Sequence, residues 1–222
     1  MTQQINLWTG EFGNLYQDRN KLTQEEIEIR KGFWENIIRN IYMNCGAIPQ
    51  SVLEIGAGQG PNLAAFRVIY DTMYEEANKL KLQDKKDIPL WATEINENAR
   101  VQLKENVKDV HILDSISNIT NVADMALTYG VLIHTHPAHL KGVMDDIYKA
   151  SKRWIVCCEY FAPESRMIPY RGENNALWLD DYGSRWVDNY PLRVIGHGFC
   201  WRRMTRLDNI TFWIFEKTEK MH

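Results

Sequence analysis

Between two apolar segments the chain reads Glu54-Ile55-Gly56-Ala57-Gly58-Gln59-Gly60. Alternate glycines placed after the run SVLEI and before a helix-forming stretch suit a strand that turns tightly into a helix. There a ligand can approach the backbone beside the helix's positive end. The pattern is GxGxG behind a carboxylate, whereas a dinucleotide fingerprint reads GxGxxG. A carboxylate at 54 repels pyrophosphate and attracts a cation; the alternative is a plain structural turn with Glu54 exposed. Two more acids fall where strands should end. Glu94, after Thr93, suits the hydroxyl pair of a ribose, and Asp114, followed by Ser115, suits an adenine amino group. Singly, each acid reads as a cap or turn residue; in this order at successive strand ends they read as a set.

A ligand with a nucleoside at one end and a cation at the other is S-adenosyl-L-methionine, which carries a sulfonium and an α-ammonium. Glu54 would hold its amino-acid end directly or through water. The stretch from Glu54 to Glu94 exceeds the usual spacing of ~20 residues between glycine loop and ribose carboxylate, an excess that a long intervening helix absorbs. Tyr129 and Gly130, ending a fourth strand, would line the cofactor cleft.

Beyond that strand stand His134, His136 and His139. HxHxxH resembles the first metal motif of metallo-β-lactamase-like hydrolases, in which zinc activates water. That motif has Asp before the last histidine, where this chain has Ala138, and Pro137 suits a helix start. No metal site is therefore assigned, although a zinc hydrolase stays open as a rival. His134 otherwise serves as a general base, its unperturbed pKa being near neutrality, or as a hydrogen-bonded loop residue. Glu159, ending a fifth strand, is the other candidate for handling an acceptor proton, with Tyr160 facing the same cleft end.

Trp8, Phe12 and Tyr16 recur at i, i+4 spacing, with Arg19 one turn on. The segment reads either as a lid whose Tyr16 and Arg19 reach the cofactor carboxylate, or as an amphipathic helix packed on the sheet. Arg166, Tyr170, Arg171 and Arg202, with Arg203, would bind a phosphate or sugar carboxylate, since guanidinium makes bidentate contacts with such groups; taken singly they read as solvated charges.

The elements that must position these residues alternate. A helix is expected over 23–43, started by Thr23 with Glu25 and Glu26. Strands are expected around 51–55, 89–95, 110–114, 124–130 and 153–160, with helices from Pro61 to the early 80s and over 96–107 and 137–150. The charged stretch from Lys79 to Asp87 reads as a solvated tail. Residues 161–175 read as a Pro- and Gly-rich loop, 176–189 as a helix, and 192–203 and 210–217 as two closing strands. Such alternation indicates an α/β fold of Rossmann-like type, a mostly parallel sheet with helices on both faces. The closing pair adds an antiparallel edge hairpin.

At 222 residues, 45% hydrophobic and 25% charged, the chain fits one α/β domain over 1–222. Within it, 1–45 forms the N-terminal helical lid segment and 161–190 a substrate-side insertion. A net charge of −3 argues against broad nucleic-acid binding. Cys45, Cys157, Cys158 and Cys200 form no CxxC pair and read as reduced, mostly buried thiols. The N-terminus has no signal-peptide character, and no apolar run reaches the ~18–20 residues of a membrane helix. The expectation is a soluble, cytoplasmic protein whose partner is a small-molecule substrate; nothing in the sequence speaks to its oligomeric state.

From about 50 to 160 the chain resembles class I S-adenosylmethionine-dependent methyltransferases, with LEIGAGQG as the first motif, TE as the second and DMALTYGVLIH around the fourth strand. Its flanks, WTGEFGNLYQDRN, EYFAPESRMIPYRG and GFCWRR, resemble methylases associated with pseudaminic acid biosynthesis. The resemblance implies a seven-stranded sheet with the last strand inserted antiparallel. It also implies methyl transfer to an amino or hydroxyl group of a sugar or nucleotide-sugar-derived substrate. A non-catalytic S-adenosylmethionine-binding module is the alternative of a different class.

Overall fold

Short runs rich in β-branched residues, each followed by a capped helix, fold in the computed structural model into one central sheet; residues 3–80, 88–117 and 119–219 are described. The strands are β1 (Val52–Ile55), β2 (Leu90–Thr93), β3 (Val110–Leu113), β4 (Ala123–Tyr129), β5 (Ser151–Glu159), β8 (Leu192–Cys200) and β9 (Ile210–Lys217). Their order is β3-β2-β1-β4-β5-β9-β8. The first five are mutually parallel, and β9 runs antiparallel between β5 and β8. Seven strands, mostly parallel and closed by an antiparallel hairpin, are what the alternation and the resemblance together led us to expect.

Both faces of the sheet are covered, which explains why β1 is buried at every position and reads as an unbroken apolar run. Successive side chains of a strand point to opposite faces. Val52 and Val156 thus join one core with Trp34, Phe66 and Tyr70 from α3 (Gln24–Cys45) and α4 (Pro61–Lys79). Leu53 and Ile155 join the other, with Leu140 and Met144 from α6 (Pro137–Ala150) and Trp186 from α7 (Tyr182–Asn189). Thr23 caps α3 by accepting from the Glu26 N–H at 3.2 Å, and Gly46 closes it in the left-handed region. Asn96 caps α5 (Glu97–Asn106) by accepting from the Ala99 N–H at 2.9 Å. Cys157, Cys158 and Cys200 are buried, and all four cysteines are free. Among the described residues no helix is long and apolar enough to cross a membrane.

Three expectations need correcting. Residues 161–175 are not a loop throughout, nor is 176–189 one helix. β6 (Arg166–Tyr170) and β7 (Glu173–Leu179) pair as a separate antiparallel hairpin, and only Tyr182–Asn189 is helical. The hairpin turns on Arg171 and Gly172, both at positive φ (51° and 87°), as a two-residue turn of mirror-image type demands. Pro169 falls at a register irregularity between Ile168 and Tyr170, a place where a strand tolerates proline. The strand expected over 192–203 stops at Cys200 and gives way to the short helix α8 (Arg202–Thr205). The charged stretch ending at Asp87 lies, from Lys81 on, outside the described residues.

Candidate active site

The parallel strands point their carboxyl ends at one rim, and the glycine loop lies there between β1 and α4. Ala57 N–H donates to the Thr93 carbonyl at 3.0 Å, tying the loop to β2. Gly56, Gly58 and Gly60 all have positive φ. At Gly60 the need is also steric, because a Cβ would come within 2.4 Å of Leu103 Cδ1, so glycine lets α5 close on the loop. Glu94 fixes the loop from below: its Oε2 accepts the Gly58 N–H and its Oε1 the Asn96 N–H, each at 2.7 Å. Burial raises the Glu94 carboxyl, and these backbone donors pull it back. Each carboxylate oxygen keeps a further lone pair.

Glu54 sits behind the loop, 2% exposed, which removes the reading of an exposed turn residue. Its Oε1 accepts from Asn62 Nδ2 at 2.6 Å. The Asn62 Oδ1 in turn accepts from Arg30 Nη1 at 2.8 Å and Trp34 Nε1 at 3.0 Å, which fixes the amide's orientation. Glu54 Oε2 is buried and has no hydrogen-bond partner among the described residues. Burial pushes the carboxyl up to about 8, against the Asn62 hydrogen bond and the Arg30 charge. In the unfolded chain Glu54 ionises near its ordinary value, while the folded chain holds the proton up to about pH 8. The unfolded state thus binds fewer protons across that window, so folding loses stability there as pH rises. Glu54→Gln, an isostere of the protonated form, is expected to melt higher than wild type at pH 8 and nearly level with it at pH 5. Parallel thermal melts check this; equal differences at both pH values would refute the buried, protonated carboxyl.

Two N-terminal helices, α1 (Gln3–Thr9) and α2 (Glu11–Arg19), lie across this rim. Gln59 Nε2 donates to the Gln17 carbonyl at 2.6 Å, and Asn96 Nδ2 to the Trp8 carbonyl and Asn14 Oδ1, both at 2.9 Å. At Gly13 a Cβ would lie 1.9 Å from the Trp8 carbonyl oxygen, so only glycine permits the fold-back of α1 on α2. The far end is tied to the β6–β7 hairpin by Gln4 Nε2 donating to the Asn175 carbonyl at 3.1 Å. Ring contacts complete the cover: Trp8 with Phe12 and Tyr16, each at 5.3 Å, Trp8 with His134 at 4.6 Å, and Tyr170 with Phe12 at 6.1 Å and His134 at 5.2 Å.

His134 ends the 3-10 turn Leu132–His134 that follows β4. Its Nδ1 lies 2.6 Å from the Ala176 carbonyl, which can only accept, so Nδ1 carries the proton and Nε2 is bare. Burial lowers its pKa to about 4. The imidazole is thus neutral at neutral pH, its pKa below the near-neutral value expected of a free histidine, with Nε2 unprotonated. Glu159 stands at the end of β5. It is fully buried, and its oxygens accept the N–H groups of Val131, Leu132 and Ile133 at 3.2, 3.1 and 3.2 Å. Burial raises it to about 7 against those donors. Its visible work is to hold the turn that carries His134.

Compared with solved structures, the chain is similar along nearly its whole length to methyltransferases. Magnesium protoporphyrin IX methyltransferase from Synechocystis PCC 6803, solved with S-adenosylmethionine, aligns over 98% of this chain and 99% of its own, with a TM-score of 0.61 and 9% identity. A 1,6-didemethyltoxoflavin-N1-methyltransferase from Burkholderia thailandensis, solved with S-adenosylhomocysteine, aligns over 94% and 86%, with a TM-score of 0.60 and 14% identity. A plantazolicin methyltransferase aligns over 97% and 94%, at 0.58 and 12%. The chain has the methyltransferase Rossmann-like fold. No protein-family model and no curated protein matches its sequence.

On this methyltransferase fold the sequence-selected residues divide in two. Brought to the rim are the glycine loop, Glu54, Glu94, Gly130, Tyr16, Tyr129, His134, Tyr160 and Tyr170. Burial raises Tyr16 to about 12 and Tyr129 and Tyr160 further still. Left at the periphery are Arg19, Arg166 and Arg202, all exposed, and Arg171, whose guanidinium lies 5.7 Å from the Tyr170 ring centre. Asp114 is peripheral as well, its side chain 90% exposed and paired to Arg100 at 2.7 Å. Ser115 turns back to accept the Ser117 N–H at 3.0 Å. The three histidines part company: His136 Nδ1 accepts the Ala138 N–H at 3.1 Å to cap α6, while His134 binds Ala176. Among the described residues no three His, Cys, Asp or Glu side chains gather as metal ligands do. Residues not selected from sequence but placed at the site are Gln17, Arg30, Asn62 and Asn96. Of these Asn62, two residues past Gly60, and Asn96, opening a helix, had a signal in their positions.

Proposed function

We propose that the chain is an S-adenosyl-L-methionine-dependent methyltransferase acting on an amino or hydroxyl group of a small, sugar-type substrate. The observation that carries this reading is the buried Glu54 carboxyl with an unpartnered oxygen behind the glycine loop. A protonated acid held at about 8 ionises when a cation arrives, which fits a ligand with positive charge and disfavours one with pyrophosphate. Glu94, fixed by two backbone N–H groups, supports it with spare lone pairs for a ribose diol. Arg19 and Tyr16 on the N-terminal cover would meet a carboxylate, and Tyr129 and Gly130 would line the cleft. Asp114 and Ser115 would reach adenine once Asp114 leaves Arg100.

When bound, S-adenosylmethionine supplies a methyl carbon activated by a sulfonium. The chain's part is to orient the acceptor and exclude water. The N-terminal helices, fastened at Gln59, Asn96 and Asn175, act as the lid. The bare Nε2 of His134 accepts a hydrogen bond from the acceptor group, and Glu159 keeps the turn beneath it rigid. Tyr160 and Tyr170 line the acceptor side, and Arg166, Arg171 and Arg202, exposed at its edge, would meet a phosphate or carboxylate of the substrate. The sugar-type substrate rests on the likeness of the flanking segments to methylases associated with pseudaminic acid biosynthesis.

Calorimetric titration with S-adenosylmethionine tests the reading. Micromolar binding is expected, with proton release at pH 7 that Glu54→Gln abolishes, followed by S-adenosylhomocysteine production with amino sugars or nucleotide sugars. Binding without turnover on any acceptor would favour a non-catalytic module; no binding to folded protein would overturn the proposal.

A further inference from the structure

The N-terminal helices lie over the acids that a cofactor must reach. Glu94 is 9% exposed and Glu54 2%, so a ligand enters or leaves this rim only when α1 and α2 lift. Little apolar burial opposes that movement. Helix α1 buries no residue fully, α2 buries only Gly13 and Gln17, and Ile5 and Leu15 are exposed. A segment with few buried apolar contacts opens at low cost.

What holds the helices down is polar, and two of the clips spring from the glycine loop and from beside Glu94. Gln59 stands between Gly58 and Gly60. Its buried amide clasps the end of the cover: Nε2 donates to the Gln17 carbonyl at 2.6 Å and Oε1 accepts the Leu22 N–H at 3.2 Å. Asn96 follows Glu94 by two residues. Its N–H donates to Glu94 Oε1 at 2.7 Å, and its Oδ1 accepts the Ala99 N–H at 2.9 Å. That orientation aims Nδ2 at the Trp8 carbonyl and Asn14 Oδ1, both at 2.9 Å. The Gln17 side chain meanwhile lies over the loop, 3.7 Å from where a Gly58 Cβ would stand. The segment so held places the Trp8 ring 4.6 Å from His134 and the Phe12 ring 6.1 Å from Tyr170, completing the wall on the acceptor side.

We propose that Gln59 and Asn96 are positioning residues that couple cofactor binding to closure of the N-terminal helices, and so to the acceptor wall that Trp8 and Phe12 complete. A ligand held by Glu94 and the glycine loop immobilises these two amides. The helices that dock on them then lose less freedom on closing. Closure in turn shields the ligand's hydrogen bonds to Glu94 from water, where they are stronger. The coupling rests on the methyl-transfer reading above, and it is measured without an acceptor.

Hydrogen exchange over residues 3–19 is followed with and without S-adenosylhomocysteine in wild type, Asn96→Ser and Gln59→Ala, beside calorimetric titration of the same ligand. Serine keeps the helix cap but is too short to hold the Trp8 carbonyl. In wild type the ligand is expected to slow exchange by about 5–150-fold, the usual range of coupling between sites. Asn96→Ser is expected to melt close to wild type and to lose most of that slowing. It should also bind S-adenosylhomocysteine more weakly by the same factor, because coupling is reciprocal. Gln59→Ala should behave alike. A merely structural role would raise exchange equally with and without ligand and leave affinity unchanged. That outcome, or ligand binding that leaves exchange over 3–19 as it was, would overturn the coupling. No binding of S-adenosylhomocysteine to folded wild type would overturn the methyltransferase reading itself, and the coupling with it.

Discussion

Glu94→Ala is expected to weaken S-adenosylmethionine binding by roughly 100-fold or more, the size of two charge-assisted hydrogen bonds lost together. The substitution acts twice. It removes the acceptors offered to a ribose diol, and it strands the N–H groups of Gly58 and Asn96 that the carboxylate now receives at 2.7 Å. Gly58 is in the left-handed region and Asn96 both caps α5 and anchors the cover through the Trp8 carbonyl. The loop and the N-terminal helices therefore loosen from a single change. Glu94→Gln separates the two effects, since its carbonyl oxygen still accepts one N–H while its amide can no longer accept at the second position. An intermediate loss, with the melting temperature near wild type, is expected for it. Calorimetry beside thermal melts makes the comparison; unchanged affinity in a folded Glu94→Ala protein would remove Glu94 from the cofactor site.

The largest effect on stability belongs to Glu159→Ala. Three N–H groups, the buried ones of Leu132 and Ile133 and the partly buried one of Val131, converge on that carboxylate, and a buried donor left unpaired costs about 1–3 kcal/mol. With non-additivity among neighbours the loss should be about 3–5 kcal/mol, a fall in melting temperature on the order of 10 °C for a chain of this size. The turn they form carries His134, so methyl transfer at temperatures where the variant remains folded should also fall. Cofactor affinity should change less, because Glu94 is held by the Gly58 and Asn96 N–H groups and not by this turn. If Glu159→Ala melts with wild type, the carboxylate is not the anchor of the turn. If it keeps its stability and loses activity, a direct role in handling the acceptor proton returns.

Much of the architecture was legible because its signals are local. Apolar β-branched runs, Thr23 and Asn96 at helix starts, and Pro61 and Pro137 at first turns each act within a few residues of chain. Their alternation leaves few topologies for a parallel sheet. The β6–β7 hairpin escaped notice because Pro163, Pro169 and Gly172 punctuate it as they would a loop. Its strands are half exposed and lack the continuous apolar character of β1 or β5.

The sequence by itself determined the fold class, the glycine loop at the first strand-to-helix junction and the positions of Glu54, Glu94 and Asp114 at strand ends. These depend on periodicity and turn chemistry, which are properties of short segments. Only the tertiary structure decided what the side chains do there. The Glu54 carboxyl is pushed up and the His134 imidazole down, so that both are neutral, because distant segments bury them. Glu159 became an anchor because the turn after β4 folds its N–H groups over the end of β5. The N-terminal helices became a cover because Gly13, Gln17 and Asn96 meet across the rim. Burial, charge and hydrogen-bond partnership are set by residues far apart in the chain, and no pattern within a short segment records them.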